Sequence, residues 1–388
     1  MAMDATLKDR VVVLGLGGGG GRVVAAMADL TLAADAVALG AADTDPKALA
    51  SLAGVVQIPL GGGWTGNASA GDSAALGEKA AIASLDDLKQ FVADAAIVIV
   101  VAGLGKGTGS GAARVVARHL RRAGKTSLFV VTLPFSFEGS WRCSLAQKDL
   151  EELRRTTAAV LAIPNDLLFS TMPADMVAAE AFAVANQLLA ADLTGLIRMT
   201  RAGALLSVDF VTLRNLLKEK PSLCTLGFGR AAGDGRCEEA VEQFLTCPFL
   251  GGEESVSRTD AAVLTLIGGP RLTKGEIESC FDRLKAAFPS TARLYNGAFV
   301  DPALGDELHL TGMLCRFGGP GDGEPDATPP PRGRMHQPPG PGGETQGVLD
   351  LVEQSAGIFA NCPPTVRNGE NLDIPTWQRR GIKIELDG

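Results

Sequence analysis

From Ala95 to Gly111 the chain reads AAIVIVVAGLGKGTGSG, five consecutive β-branched residues running into glycines at 103, 105, 107, 109 and 111. An unbroken β-branched run of this kind belongs to a parallel strand covered on both faces. A helical pattern from Ala112 to Arg122 follows at once. Strand, glycine segment and helix start leave backbone N–H groups and the positive end of a helix dipole aimed at one place. An anion belongs there, and phosphate is the obvious one.

The rest of the first half repeats the theme. Val11 to Leu14 read as a short buried strand, and GLGGGGGR (Gly15 to Arg22) leads into a helix carrying Val23, Val24, Met27 and Leu30. Val37 to Ala42 form the next strand, closing on Asp43, Thr44, Asp45 and Pro46, with Pro46 suited to a first helical turn. Gly61 to Ser73 is a long loop, Ala74 to Val92 a helix, Ser127 to Leu133 another buried strand ending at PFSFEG. Glu138 to Thr157 is an amphipathic helix, and Val160 to Ile163 a strand broken by Pro164, Asn165 and Asp166. Strands alternating with helices predict an α/β fold: a Rossmann-like parallel sheet with helices on both faces.

Ala178 to Arg201 is helical and nearly apolar, a pattern that fits a buried connecting helix. Beyond it, helices over Asp209 to Lys218, Cys237 to Thr246 and Lys274 to Phe288 mix with strands over Thr225 to Gly229, Ala261 to Ile267, Ala292 to Ala298 and Glu307 to Phe317. This predicts a smaller C-terminal α+β unit. After Phe317 the Pro- and Gly-rich composition cannot bury enough apolar surface to order itself. The expected organisation is therefore an N-terminal domain (1–177), a central connecting helix (178–203), a C-terminal α+β domain (204–317), a mostly disordered linker (318–370) and a terminal partner-binding peptide (371–388).

Composition removes several classes. A formal charge of −8, spread rather than blocked, gives no basic stripe for nucleic acid. Seven Cys without C-x-x-C spacing and only three His argue against a zinc site or a disulfide framework, so a reducing cytoplasm is expected and no metal-ligating residues are assigned. The segment MAMDATLKDR lacks an apolar core, and no apolar run approaches the roughly 20 residues that span a bilayer. The expectation is a protein neither exported nor membrane-embedded.

Gly15, Gly17 and Gly20 satisfy G-x-G-x-x-G, and Asp43 could hold a ribose as in a dinucleotide site, but that reading leaves the second glycine segment unexplained. A Walker A loop also fails, because Val100 and Gly107 stand where its first glycine and its hydroxyl belong.

Read together, the motifs resemble the tubulin superfamily and, within it, the FtsZ family of cell-division GTPases. The segment from Gly105 to Gly111 is similar to the signature G-G-G-T-G-[ST]-G, with Lys106 as its one departure. GLGGGGG at 15–21, DTDPKAL at 43–49, GEKAA at 77–81, PFSFEG at 134–139, IPND at 163–166 and GGPRLTKGEIE at 268–278 follow in the family's order. The resemblance implies that GTP or GDP, with Mg²⁺, is wrapped at its phosphates by Gly17, Gly18, Gly19, Gly20 and Gly21 and by Gly103, Leu104, Gly105, Lys106, Gly107, Thr108, Gly109, Ser110 and Gly111. Asp43 and Thr44 match a supporting loop, and Gly71 and Asp72 a loop that senses the γ-phosphate, here without the usual Asn-Pro. Pro134, Glu138 and Arg142 match ribose and phosphate contacts, and Asn165 a ribose or base contact. Asn186 stands where FtsZ has an Asp and tubulins an Asn that reads guanine, and Arg22 replaces an Asn that touches the base. Structural roles compete at several positions: Glu138 suits any helix start, Asn186 could be a satisfied buried amide, and Arg142 and Lys106 could be solvated.

The resemblance also implies head-to-tail self-association, with a loop of one protomer completing the site of the next at the division septum. Here that loop is LLSVDFVTLRNLL (Leu205 to Leu217), in which Asp209 is kept but Thr212 replaces the second acid. Threonine can orient water but cannot take its proton, so slow hydrolysis is expected. A weakly hydrolysing scaffold that co-assembles with another division tubulin is the alternative, and a dinucleotide oxidoreductase a distant third. The tail LDIPTWQRR resembles the peptide by which FtsZ docks onto membrane tethers and regulators, with Leu372, Ile374, Pro375 and Trp377 as apolar anchors and Arg379 and Arg380 as the basic pair.

Overall fold

The computed structural model describes residues 10–30, 37–62, 68–157, 159–170, 172–198, 204–219 and 223–317, together with 366–367 and 370–371. The linker and peptide expectations, including Leu372 to Arg380, lie outside the described residues apart from those four positions.

Six parallel strands build the first part: β1 (Val11–Leu16), β2 (Val37–Asp43), β3 (Val56–Pro59), β4 (Ile97–Gly103), β5 (Thr126–Leu133) and β6 (Ala159–Pro164). They lie in the order β3-β2-β1-β4-β5-β6, and β6 passes through one paired position, Leu161 with Cys224, to β7 (Leu223–Ala232). The sheet continues with β10 (Glu307–Arg316), β8 (Ala261–Gly268) and β9 (Arg293–Val300), in which only β10 runs antiparallel to its neighbours. Separately, Val366–Arg367 (β11) and Glu370–Asn371 (β12) pair antiparallel.

The β-branched run behaves as its composition requires. Ile97, Ile99 and Val101 face a core shared with Val23, Val24 and Met27 of α1 (Gly17–Ala28) and Leu189, Leu193 and Leu196 of the long helix Ala178–Arg198. Val98 and Val100 face the opposite core, with Val115, Val116 and Leu120 of the helix Gly107–Arg122. Both faces are dry.

The remaining helices are α2 (Pro46–Ala50), α3 (Ala74–Ala83), α4 (Leu85–Val92), α5 (Gly107–Arg122), α6 (Ser140–Thr156), α7 (Asn165–Ser170), α8 (Ala178–Arg198), α9 (Phe210–Lys218), α10 (Arg236–Leu245), α11 (Glu253–Ser257) and α12 (Lys274–Ala287). Four elements of the first half depart from the sequence reading. The single helix expected over 74–92 is two, because the Ser84 hydroxyl turns outward to donate to the Pro59 carbonyl and accept from the Gly61 N–H. The edge strand β3 carries one buried residue, Ile58, too little pattern to read. Asn165, expected in a break, opens α7 instead. The fourth is α5, which begins at Gly107 rather than Ala112.

Cys237 of α10 and Cys280 of α12 face each other in the core of the C-terminal unit, Cα atoms 5.7 Å apart. Forty-three residues separate them, so only the packing of both helices on one sheet face reveals the pair. Cys143, Cys224, Cys247 and Cys315 are free.

The C-terminal unit holds a nearly buried cation. Arg236, 4% exposed, donates to Glu276 from Nε (2.7 Å) and Nη2 (3.1 Å) and to the Asp306 carbonyl (2.7 Å). The Arg236 hydrogen bonds hold the Glu276 carboxyl down from its ordinary 4.5 to about 2, aided by the Thr273 N–H and hydroxyl. A carboxyl depressed on folding contributes stability above the unfolded value, which is lost as pH falls. Acid denaturation followed by circular dichroism should therefore show stability falling from about pH 4.5 towards about 2, and Glu276→Gln should remove part of that slope while lowering stability at neutral pH.

Candidate functional site

The chain leaves β1 for β2 and β3 on one side and returns to β4 on the other, so a topological switch point lies between β1 and β4. Crevices at the carboxyl ends of strands flanking such a point are where α/β sheets bind ligands. Both glycine segments leave from these two strands, and a cleft of about 520 Å³ opens between them.

The motif glycines divide by task. Gly17, Gly18 and Gly19 line the cleft from one side, and Gly103, Leu104, Lys106, Thr108 and Gly109 from the other. Several, Gly109 among them, allow close packing that a side chain would block. A Cβ on Gly20 would lie 2.0 Å from the Val101 carbonyl oxygen, one on Gly21 2.7 Å from Leu52, and one on Gly109 2.1 Å from the Gly103 oxygen. On α5, Gly107 lies against the Ala70 and Gly71 carbonyls, and Gly111 against Ala74 and Gly77 of α3. Gly105 adopts φ +86°, left-handed space that favours glycine, and its N–H donates to the buried Ser110 hydroxyl (2.9 Å).

Neither helix that points into the cleft is capped by a side chain: α1 starts after Leu16 and α5 after Lys106, and neither has an acid in its first turn. Of the other helices, α2, α3, α9 and α12 are capped by Asp45, Ser73, Asp209 and Thr273, while α4, α6 and α10 are also uncapped, so it is the convergence of α1 and α5 on one cleft that sets them apart. Uncapped amides at two convergent N-termini form an anion site. Lys106, exposed and without an ion pair among the described residues, sharpens this, because a cation at the positive end of a helix is misplaced unless an anion joins it.

Around the cradle, the Thr44 and Thr108 hydroxyls meet at 2.7 Å, and Thr44 Oγ1 also accepts from the Ala70 N–H (2.9 Å). Asp43 lines the cleft at 6% exposure, and burial pushes its carboxyl up from the ordinary range. Gly71, Pro134, Glu138, Asn165 and Arg22 also line the cleft. Asn186 does not, but it faces an adjoining pocket of about 90 Å³ together with Gly20, Arg22, Asn165 and Phe182. Asp72 and Arg142 stand beside the cleft as an ion pair (2.8 Å), and Arg142 also donates to Glu138 (2.8 Å), which pushes the guanidinium up. Asp209 and Thr212 lie elsewhere: Asp209 caps α9 through the Val211 N–H (2.9 Å), and neither residue lines the cleft.

Sequence reasoning missed the aromatic wall. Phe135, Phe137 and Phe182 line the cleft, with Phe137 stacked on Phe135 (4.7 Å) and Phe182 edge-on to it (5.7 Å). Phe182 is the one aromatic residue of α8 and is half-exposed, and its isolation in an alanine-rich helix was the available signal.

A cradle for phosphates and an aromatic wall beside two amides form the outline of a nucleotide site. Residues 10–173 match the GTPase domain of the Tubulin/FtsZ family and residues 223–317 the C-terminal domain of the FtsZ family. The chain is 35% identical over 298 residues to cell division protein FtsZ 1 of Archaeoglobus fulgidus, covering 77% of this chain and 79% of that one. This chain belongs to the tubulin/FtsZ family. It is also 34% identical to cell division protein FtsZ of Bartonella bacilliformis, spanning 77% of this chain and half of that longer protein. A solved FtsZ dimer from M. jannaschii superposes with a TM-score of 0.74 at 28% identity, covering 79% of this chain and 88% of that one. Members of the family are GTPases, and its GTPase domain implies guanine-nucleotide binding.

Base stacking on an aromatic ring contributes on the order of 1–3 kcal/mol. Phe182→Ala should weaken binding of a fluorescent guanine nucleotide by about tenfold or more. Equal affinity would show that the base sits elsewhere.

Proposed function

We propose that this chain hydrolyses GTP slowly and only between subunits of a head-to-tail filament that serves cell division. The observation that supports this most is the placement of Asp209. Helix α8 starts beside the cleft at Phe182 and, at about 1.5 Å per residue, carries the chain roughly 24 Å away by Arg198. Asp209 follows on a segment pinned to β9, where Leu206 and Ala298 exchange backbone hydrogen bonds of 3.2 and 2.8 Å. Leu205, Leu206 and Val211 flank it with exposed apolar side chains. A site whose acid stands outside its own cleft, amid exposed apolar surface, is completed by a second copy. Because donor and acceptor surfaces differ, that contact does not close and generates a polymer.

In this reading the uncapped N-termini of α1 and α5 hold the phosphates, Phe182 carries the base, and Asn186, Asn165 and Arg22 face its polar edge. The oxygen donors at the cleft, Asp43 foremost with the Thr44 and Thr108 hydroxyls behind it, suit Mg²⁺ as a hard cation. Among the described residues no group of three His, Cys, Asp or Glu could hold a metal unaided, so phosphate oxygens would supply the remaining ligands. The ion supplies charge neutralisation on the phosphates. Asp209 accepts a proton from the attacking water across the interface, while Thr212, in the first turn of α9, can only orient that water.

Recruitment to the septum falls to the terminal peptide around Trp377. Among the described residues no helix is long and apolar enough to cross a membrane, and a docking peptide is consistent with that.

Sedimentation with GTP, read together with phosphate release, tests the reading. GTP-dependent pelleting with slow release is expected, and release from dilute monomer equal to that in filaments would overturn it. Pelleting without release would identify a scaffold. A second carboxylate beside Asp209 would add negative charge and another proton acceptor for the water, so Thr212→Asp should raise turnover about tenfold. Lys106→Gly should weaken GTP binding severalfold at low salt, and unchanged affinity would remove Lys106 from the phosphate site.

A further inference from the structure

The segment from Ser69 to Ser73 crosses the start of α5 and places two anionic or partly negative oxygens against groups that phosphates would use. The Gly71 carbonyl accepts from the Gly107 N–H at 2.7 Å, occupying an amide of the helix that points into the cleft. One residue on, the Asp72 carboxylate accepts from Arg142 Nη2 at 2.8 Å. The Ala70 N–H donates to Thr44 Oγ1 (2.9 Å), and the Ser73 N–H closes a turn onto the Ala70 carbonyl (3.1 Å), so the segment is held in place from both ends.

Arg142 is the shared group. Its Nη1 is held by Glu138 Oε2 (2.8 Å), and Glu138 Oε1 in turn accepts from the Phe135 N–H (3.0 Å). That side of the guanidinium is fixed to the turn lining the cleft. The other side is held only by Asp72, whose side chain is 52% exposed, and the buried Arg142 Nε has no partner among the described residues. A guanidinium beside a phosphate cradle, with one donor spare and another on a half-exposed carboxylate, can exchange that carboxylate for a phosphate oxygen at little cost in burial.

We propose that Asp72 stands in for phosphate in the nucleotide-free site and competes with bound nucleotide for Arg142. Nucleotide entry breaks the Asp72–Arg142 pair and frees residues 69–73 from the start of α5. Asp72 thereby lowers the affinity of the site and links its occupancy to the conformation of that loop. This rests on the nucleotide reading of the cleft.

The test is a double-mutant cycle in the full chain, read by titration with a fluorescent GTP analogue at low salt. Asp72→Asn should tighten binding about two- to fivefold, the upper part of the range for a partly exposed ion pair. In an Arg142→Gln background the same substitution should change affinity less than about twofold. No gain in the native background, or an equal gain without Arg142, overturns the proposal. Hydrogen exchange gives a readout independent of affinity: peptides covering 69–73 should exchange faster when nucleotide is added, and faster in Asp72→Asn without nucleotide. Exchange unchanged by the substitution overturns the proposal, whereas a native chain that binds no guanine nucleotide overturns the functional reading and the proposal with it.

Discussion

Everything at the cleft depends on backbones that touch where side chains would normally keep them apart. Gly20 against Val101, Gly109 against Gly103, and Gly77 and Gly111 where α3 crosses α5 all bring main chain within a distance no Cβ permits. The long-range consequence is that two helix N-termini converge across the gap between β1 and β4. Ion pairs of Arg114 and Arg118 with Glu78, Asp149 and Glu152 then tie α3, α5 and α6 together around that crossing. The glycines cost conformational entropy, and dense apolar packing on both sheet faces offsets it.

Charge at the cleft is arranged against local preference. Lys106 sits at a helix N-cap, where the dipole disfavours it, and Asp43 is buried without an ion pair among the described residues. In the proposed function each conflict would be relieved by a different part of one ligand, an anion beside Lys106 and a hard cation beside Asp43. Departures from local consistency concentrate at functional sites, and here they have opposite sign within one cleft.

Much of this was legible in the residues. The β-branched run fixed a two-sided sheet, the ordered motifs identified the family, and most of the residues assigned to phosphate contact line the cleft. What the motifs did not distinguish was contact from clearance, since Gly18 and Gly20 look alike in a string although one faces the cleft and the other a carbonyl. The aromatic wall was missed because Phe135, Phe137 and Phe182 meet only when strand β5, its following turn and α8 are assembled. The Asp72–Arg142 pair spans 70 positions, and the Cys237–Cys280 contact 43, so neither leaves a trace in local pattern.

Helix α8 has one further consequence. With 21 residues it measures about 31 Å, and it is buried through Leu189, Leu193 and Leu196 against the sheet, so it cannot bend freely. It therefore acts as a ruler. Its Arg198 end is thus held at a fixed distance from the cleft that Phe182 lines.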